Sequence, residues 1–256
     1  MMSNERHGFS CAIAVMAKAS EPGRAKTRLC PPLTPEEAAE CNTAFLKDIA
    51  DNLLAAGGTA PISGCMAYGP PGQVAFFERH LPAGIGLHEV WEPGFGQCLA
   101  KAMDVQFAAG HAAACVLNSD SPTLPPSILA EAASALMQPG DRIVLGASTD
   151  GGYYLLGCKT MHPRLFEEIA WSTEIVAWQT LERAAEIGVE VYRLPDWYDI
   201  DDAAALRLAA AELLDGHRFH PRLASSAAPH TAALLRRMRA EADLDRRLSP
   251  GLRASA

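Results

Sequence analysis

No stretch of the 256-residue chain approaches the roughly 20 consecutive apolar residues that a membrane-spanning helix requires. Missing too are a CxxC pair and any even, closely spaced set of cysteines. The seven that occur, at 11, 30, 41, 65, 98, 115 and 158, are scattered and odd in number. That usage suits reduced thiols and predicts a cytoplasmic protein without a disulfide framework. There is no GxSxG nucleophile elbow and no HExxH zinc motif, and Gly94-Phe95-Gly96 does not extend to a dinucleotide fingerprint. Gly23-Arg24-Ala25-Lys26-Thr27 lacks both the early Gly and the Gly directly before Lys that a phosphate-binding P-loop needs. His217 and His220 are three apart but have no further ligands nearby in sequence for zinc. A net charge of -8 excludes a molecule built to coat nucleic acid.

What is present is the composition of an ordinary globular protein, 49% hydrophobic and 20% charged. The charge is unevenly spread. Between His217 and Ala256 there are eight Arg and no Lys against three acids, which leaves that segment at +5 and the rest at -13. Phe9 to Ala17 after Arg6 imitates a signal peptide with Ala17-Lys18-Ala19 as a mock cleavage site. The run is better used as a first sheet strand.

That strand breaks at Pro22-Gly23 and is followed by Lys18, Arg24, Lys26 and Arg28 within eleven residues. A short apolar run stopped by turn residues reads as a buried strand of an α/β sheet, and such sheets bind ligands beyond the carboxyl ends of their strands. Four cations there suit a phosphate-bearing ligand, although a solvated basic turn has the same composition.

Along the rest of the chain, strands are expected at 61–68, 86–90, 112–117, 142–147, 153–157 and 189–194. Helices are expected at 35–57, 73–80, 97–108, 128–137, 172–187 and 203–214. Thr34, Pro35 and Glu37 spell a capping box. Thr123 or Ser127 is available to cap the helix after Pro126, and Ser172 the helix that ends at Ile187. Alternating strands and helices predict a mainly parallel sheet covered on both faces. Residues 1–215 form the expected nucleotide-binding domain. Residues 216–256 form an Arg-rich extension, helical in part over 231–248, which is either packed back on the domain or used in association, with a solvated appendage as the default.

Acidic side chains stand where such a sheet would need them. Asp120 ends the apolar run 112–117. Asp is short and hard, and Mg²⁺ takes oxygen ligands from one or two carboxylates plus substrate phosphates; Ser-Asp-Ser-Pro is equally good turn chemistry. Asp199 and Asp201 follow the last strand, and in extended chain i and i+2 point the same way. Two carboxylates on one face repel unless a cation sits between them or one is protonated. The alternative is that Asp201 or Asp202 caps the following helix. Asp150-Gly151-Gly152 is a strong turn signal, and beside a crevice it lets a ligand approach backbone N–H groups closely.

Taken together, Ala17 to Leu29, Ser119-Asp120-Ser121-Pro122-Thr123-Leu124-Pro125, Val144-Leu145-Gly146, Asp150-Gly151-Gly152-Tyr153-Tyr154, Trp171-Ser172-Thr173 and Trp197-Tyr198-Asp199-Ile200-Asp201 resemble a bacterial glycosyltransferase-like family. Its members are known as radical-SAM/selenodomain-associated or arsenosugar-type transferases, and the resemblance spans about residues 10–210. It implies a GT-A, nucleotide-diphospho-sugar transferase fold: a Rossmann-like three-layer α/β sandwich with a mainly parallel mixed sheet. It also implies a distant relation to phospholactate guanylyltransferase and molybdenum-cofactor nucleotidyltransferases. On the family pattern Lys18, Gly23, Lys26 and Arg28 would hold the nucleotide phosphates. Asp120 would bind the metal, Asp199 and Asp201 would be the late acidic pair, and Asp150, Gly151 and Gly152 would line the second substrate. Two departures stand out. Position 121 is Ser, so the DxD signature is incomplete. Pro93-Gly94-Phe95-Gly96-Gln97-Cys98-Leu99 replaces the usual Gly-Asp-Leu-Gly-x-Arg-Met, without its Asp and Arg.

The expected activity is transfer from a nucleotide-activated donor, an NDP-sugar, to a small acceptor, with Mg²⁺ or Mn²⁺. Asp120, Lys26 and Asp150 are the candidate catalytic side chains, and Asp120, Asp199 and Asp201 the metal ligands. Neither nucleic acid nor membrane is an expected partner. The rival readings are nucleotidyl transfer to a phosphorylated small molecule with release of pyrophosphate, and a non-catalytic nucleotide-binding scaffold whose Arg-rich tail binds a partner.

Overall fold

The first apolar run becomes the central strand β1, Cys11–Ala17, buried along almost its whole length. The computed structural model that shows this describes residues 10–249, so Arg6 and Phe9 of the signal-like stretch lie outside the described residues. Ile13 and Val15 face one side of the sheet and Ala14 the other, as the two-residue period of a strand requires. Helix α1, Pro35–Gly57, carries the expected capping box. The Thr34 hydroxyl accepts from the Glu37 N–H and the Glu37 carboxylate accepts from the Thr34 N–H. There follow β2 (Ile62–Tyr68), α2 (Val74–His80), β3 (Gly86–Glu89) and α3 (Phe95–Ala108). Then come β4 (Ala113–Leu117), α4 (Pro126–Met137), β5 (Arg142–Ala147) and β6 (Tyr153–Cys158). The chain closes with α5 (Val176–Glu186), β7 (Glu190–Arg193), α6 (Ala203–Asp215), α7 (Pro229–Glu241) and α8 (Leu244–Leu248).

The seven strands make one sheet in the order β3-β2-β1-β4-β6-β5-β7. β6 runs antiparallel to both its neighbours, and every other pairing is parallel. The larger core lies on one face and joins residues of α1, α4, α6, α7 and α8. The smaller core lies on the other, where α3 and α5 pack. The chain winds outward in both directions from the β1–β4 pair, so the carboxyl ends of β1 and β4 flank the crevice where doubly wound sheets bind ligands. Among the described residues no helix is long and apolar enough to cross a membrane.

Several local expectations are corrected. Helix α5 begins at Val176 rather than Ser172, which sits at φ +65°. The residues before it form a shaped loop in which Thr173 donates to the Ala170 carbonyl and Gln179 accepts the Ala170 N–H. Neither Thr123 nor Ser127 caps α4; the Thr123 hydroxyl instead accepts from the Trp197 indole N–H. Helix α3 starts at Phe95, two residues early, with Gln97 accepting the Gly94 N–H.

The larger correction concerns the Arg-rich segment, which is packed down rather than solvated. Leu235, Met238, Leu244 and Leu248 belong to the main core. Asp48 of α1, 1% exposed, accepts from the His230 N–H, the Thr231 N–H and the Thr231 hydroxyl. It thereby satisfies the free donors at the start of α7. Three of the segment's arginines pair within the chain: Arg237 with Glu40, Arg239 with Asp215 and Asp245, and Arg247 with Glu37 and the Pro32 carbonyl. Asp48→Ala is expected to cost roughly 3 kcal/mol, since it strands the two buried donors of Thr231 and the half-buried His230 N–H. Thermal melts and limited proteolysis after Gly216 check this; an unchanged melting point would mean that α7 is held without the carboxylate.

Candidate active site

Beyond the end of β1 the chain makes a loop that is tied down before its cations are presented. Asn42 donates to the Lys18 carbonyl and the Ser20 hydroxyl, and Gln73 donates to Glu21. Gly23 turns the loop at φ +75° with nothing near its missing side chain. Lys26 is itself left-handed at φ +51°. This sends its side chain inward, over the Phe45 ring at 5.5 Å, until it is only 7% exposed.

There it meets the acids. The Lys26 ammonium is ion-paired with Asp120 and lies 3.2 Å from Asp201 Oδ1. Arg28 reaches Asp201 Oδ2 at 3.6 Å from the solvent side. Asp120 follows β4, and Asp201 follows β7 by eight residues. Backbone and side-chain ties hold their two loops together. The Ile200 N–H donates to the Asp120 carbonyl at 2.8 Å, and Ser121 donates to the Tyr198 carbonyl. The fully buried Trp197 continues alongside β5, with its N–H on the Ala147 carbonyl and its carbonyl taking the Thr149 N–H. Asp202, not Asp201, caps α6 by accepting the Ala204 and Ala205 N–H groups, which leaves Asp201 for the cluster.

The electrostatics follow from burial against pairing. Burial alone would raise the Asp120 carboxyl, but the Lys26 charge and hydrogen bonds from Lys26 and Ser119 outweigh it and hold Asp120 below the ordinary range. Burial would likewise lower Lys26, and Asp120 and Asp201 outweigh it and raise it. Asp201 is pushed up by burial and by Asp120, against the pull of Lys26. Asp199 is pushed up to about 7 by burial and by the charges of Asp150, Asp201 and Asp120.

These groups divide a continuous crevice in two. One half, about 300 Å³, is lined by Lys18, Arg24, Lys26 and Arg28, with Asp120 and Asp201 at its border. The other, about 530 Å³, is lined by the same two acids together with Asp150, Glu174 and Asp199. Its walls carry Phe95, Tyr153, Tyr154 and Trp171. Phe95 and Trp171 meet edge to face at 5.4 Å. Trp171 can lie there because Gly96 has no Cβ, which would fall 2.7 Å from the indole nitrogen. Gly151 has φ +92°, and its Cβ would lie 1.9 Å from the Glu174 carbonyl oxygen, so any side chain would push that wall away. Asp150 accepts the Gly152 N–H.

Of the residues singled out from sequence, Lys26, Asp120 and Asp201 are thus in contact, and Arg28 and Lys18 line the basic half. Gly23 shapes the loop without lining the crevice; Asp150, Gly152 and Asp199 line the acidic half, and Gly151 supports its wall. Ser148 and Glu174 also line it and carried no local signal, Phe95 stood in the segment that departs from the family pattern, and Trp171 and Tyr153 stood only inside motifs of the resemblance. For a divalent cation the donor set fits. Asp120 and Asp201 are hard carboxylates close enough to share a hydrogen bond, and one ammonium between them leaves negative charge over. Asp199 stands apart. Among the described residues only Asp48, Asp51 and His230 bring three such ligand atoms within 4.8 Å of one another, and Asp48 is already committed to the start of α7.

Comparison with known proteins fits this geometry. Residues 53–173 match the model of a family described as an uncharacterized protein conserved in bacteria, DUF2064. The fold is that of nucleotide-using transferases. The chain is similar to a protein from Desulfovibrio desulfuricans G20 that bears the provisional name nucleotide-diphospho-sugar transferase. That structure is 26% identical with a TM-score of 0.77, over 94% of this chain and 98% of that one. A CMP:2-keto-3-deoxy-manno-octonic acid synthetase complexed with CTP shares the fold at 12% identity and a TM-score of 0.51, over 81% of this chain and 100% of that one. A cytidylyltransferase from Leptospira borgpetersenii does so at 10% identity and 0.51, over 92% and 96%. No curated protein matches the chain.

Two outcomes test the electrostatics. Lys26→Met should lose on the order of 3–5 kcal/mol, because it leaves buried carboxylates unpaired, and added Mg²⁺ should recover part of the loss in a thermal melt. Asp199 binds a proton more tightly folded than unfolded, so its contribution to stability falls as pH rises from about 4 towards 7. In EDTA, Asp199→Asn should therefore melt above the native protein at pH 8, and the gain should shrink at pH 5. Equal melting points at both values would show that the carboxyl is solvated.

Proposed function

We propose that the protein transfers a glycosyl group from a nucleoside-diphosphate sugar to a small acceptor, with Mg²⁺ or Mn²⁺ bound. The observation that carries this reading is the division of the crevice, with cations on one side, acids on the other and the Lys26–Asp120–Asp201 cluster at the border. The donor diphosphate lies in the basic half, where Lys18, Arg24 and Arg28 offer charge-assisted hydrogen bonds to its oxygens. Asp120 and Asp201 would hold the metal, and Asp199, which stands apart from them, is left free. When bound, the metal neutralises charge that grows on the departing diphosphate. Lys26, displaced from one carboxylate, supplies fixed positive charge to the same oxygens.

In the transfer the acceptor oxygen bonds to the anomeric carbon, and the bond from that carbon to the diphosphate oxygen breaks. The nucleoside diphosphate leaves with the electron pair. The acceptor proton passes to a carboxylate of the acidic half. Asp199 suits that task because burial, and after it the charge of Asp150, push its carboxyl up to about 7, where a base is efficient at neutral pH.

Nucleotidyl transfer from an NTP uses the same cations and acids, and the fold is shared with enzymes of that kind. It requires a phosphate-bearing acceptor in the half of the crevice that has least positive charge. For a scaffold role of the Arg-rich segment, Arg237, Arg239 and Arg247 are already engaged within the chain.

A thermal-shift panel of NTPs and NDP-sugars, each with and without Mg²⁺ or Mn²⁺, tests the proposal. One metal-dependent NDP-sugar should stabilise by about 2.7 kcal/mol at a hundredfold excess over its Kd. Asp120→Asn should remain folded and lose at least about 100-fold in turnover. Stabilisation by an NTP alone, with release of pyrophosphate, would replace this reading by the nucleotidyl one.

A further inference from the structure

We infer that the acidic half of the crevice takes a hydroxyl-bearing acceptor without phosphate, a neutral or amino sugar or polyol. The inference rests on the glycosyl-transfer reading and names its second substrate. Two independent features of this half support it.

The first is charge. Five carboxylates line it, those of Asp120, Asp150, Glu174, Asp199 and Asp201, against the single cation Arg28, whose side chain is 65% exposed at the border. A metal and Lys26 would offset the border pair and leave Asp150, Asp199 and Glu174 facing the ligand. A phosphate dianion brought against them meets like charge in a partly desolvated site, which costs several kcal/mol in affinity. A hydroxyl or ammonium donor is matched instead.

The second is the aromatic wall. Phe95 and Trp171 stand edge to face, and Gly96 is needed to seat Trp171. Phe95 remains 54% exposed, a large apolar surface at the mouth of a polar cleft. An aromatic pair beside carboxylates suits a sugar ring, which is apolar on its faces and polar around its rim.

The test is calorimetric titration of the full-length protein with glucose, glucosamine and glucose 6-phosphate, both free and with the nucleotide–Mg²⁺ complex that stabilises it most. Glucose and glucosamine should bind, and glucose 6-phosphate at least about tenfold more weakly. The Asp150→Asn, Glu174→Gln double variant should close most of that gap. Equal or tighter binding of glucose 6-phosphate, or binding of none of the three, overturns the inference. Failure of every nucleotide to bind removes the donor reading but leaves the sugar titration of the free protein to be judged by itself.

Discussion

One buried ammonium holds this architecture to account. Lys26 sits among carboxylates from positions 120 and 201, far from it in sequence, and its side chain is almost wholly out of water. A cation there without acids, or acids there without a cation, would each be a desolvated, unpaired charge. The three loops are therefore mutually conditional. The αL backbone of Lys26, the Ile200–Asp120 backbone bond and the Ser121–Tyr198 bond bring three strand ends to one point. On the proposed function, the same charges would serve a metal-complexed diphosphate.

The sheet explains why the point lies where it does. β1 and β4 are neighbours at which the winding direction reverses, so their following loops diverge and leave a crevice. β6 is inserted antiparallel between β4 and β5. This turns the 148–152 loop back at the same edge and delivers Ser148, Asp150 and Tyr153 to the acidic half. The C-terminal helices act from the other side. By capping α7 through Asp48 and clasping Glu37 through Arg247, they fix α1, which in turn holds the basic loop through Asn42.

The readings made from sequence succeeded where a local physical rule acts alone. Thr34 and Glu37 specify their capping box because both partners lie within one turn. The run from Cys11 to Ala17 is apolar on both faces, which only a doubly covered strand satisfies. They fell short where a distant partner competes. Ser172 has the chemistry of a cap, yet the Gly151–Glu174 contact spends that stretch on a wall. Thr123 is taken by Trp197. The C-terminal arginines look solvated because their partners, Glu37, Glu40 and Asp215, lie far off in the chain or on another helix. Glu174 and Ser148 are single residues with no spacing to mark them.

By itself the sequence determined the α/β class, the covered central strand and the pool of cations and acids available beyond strand ends, since these follow from period, turn chemistry and residue type. Only the tertiary structure decided which charges meet. Coulomb pairing and desolvation depend on distances of a few ångströms between segments about a hundred residues apart, and those distances are set by sheet order and loop-to-loop hydrogen bonds that no local pattern encodes.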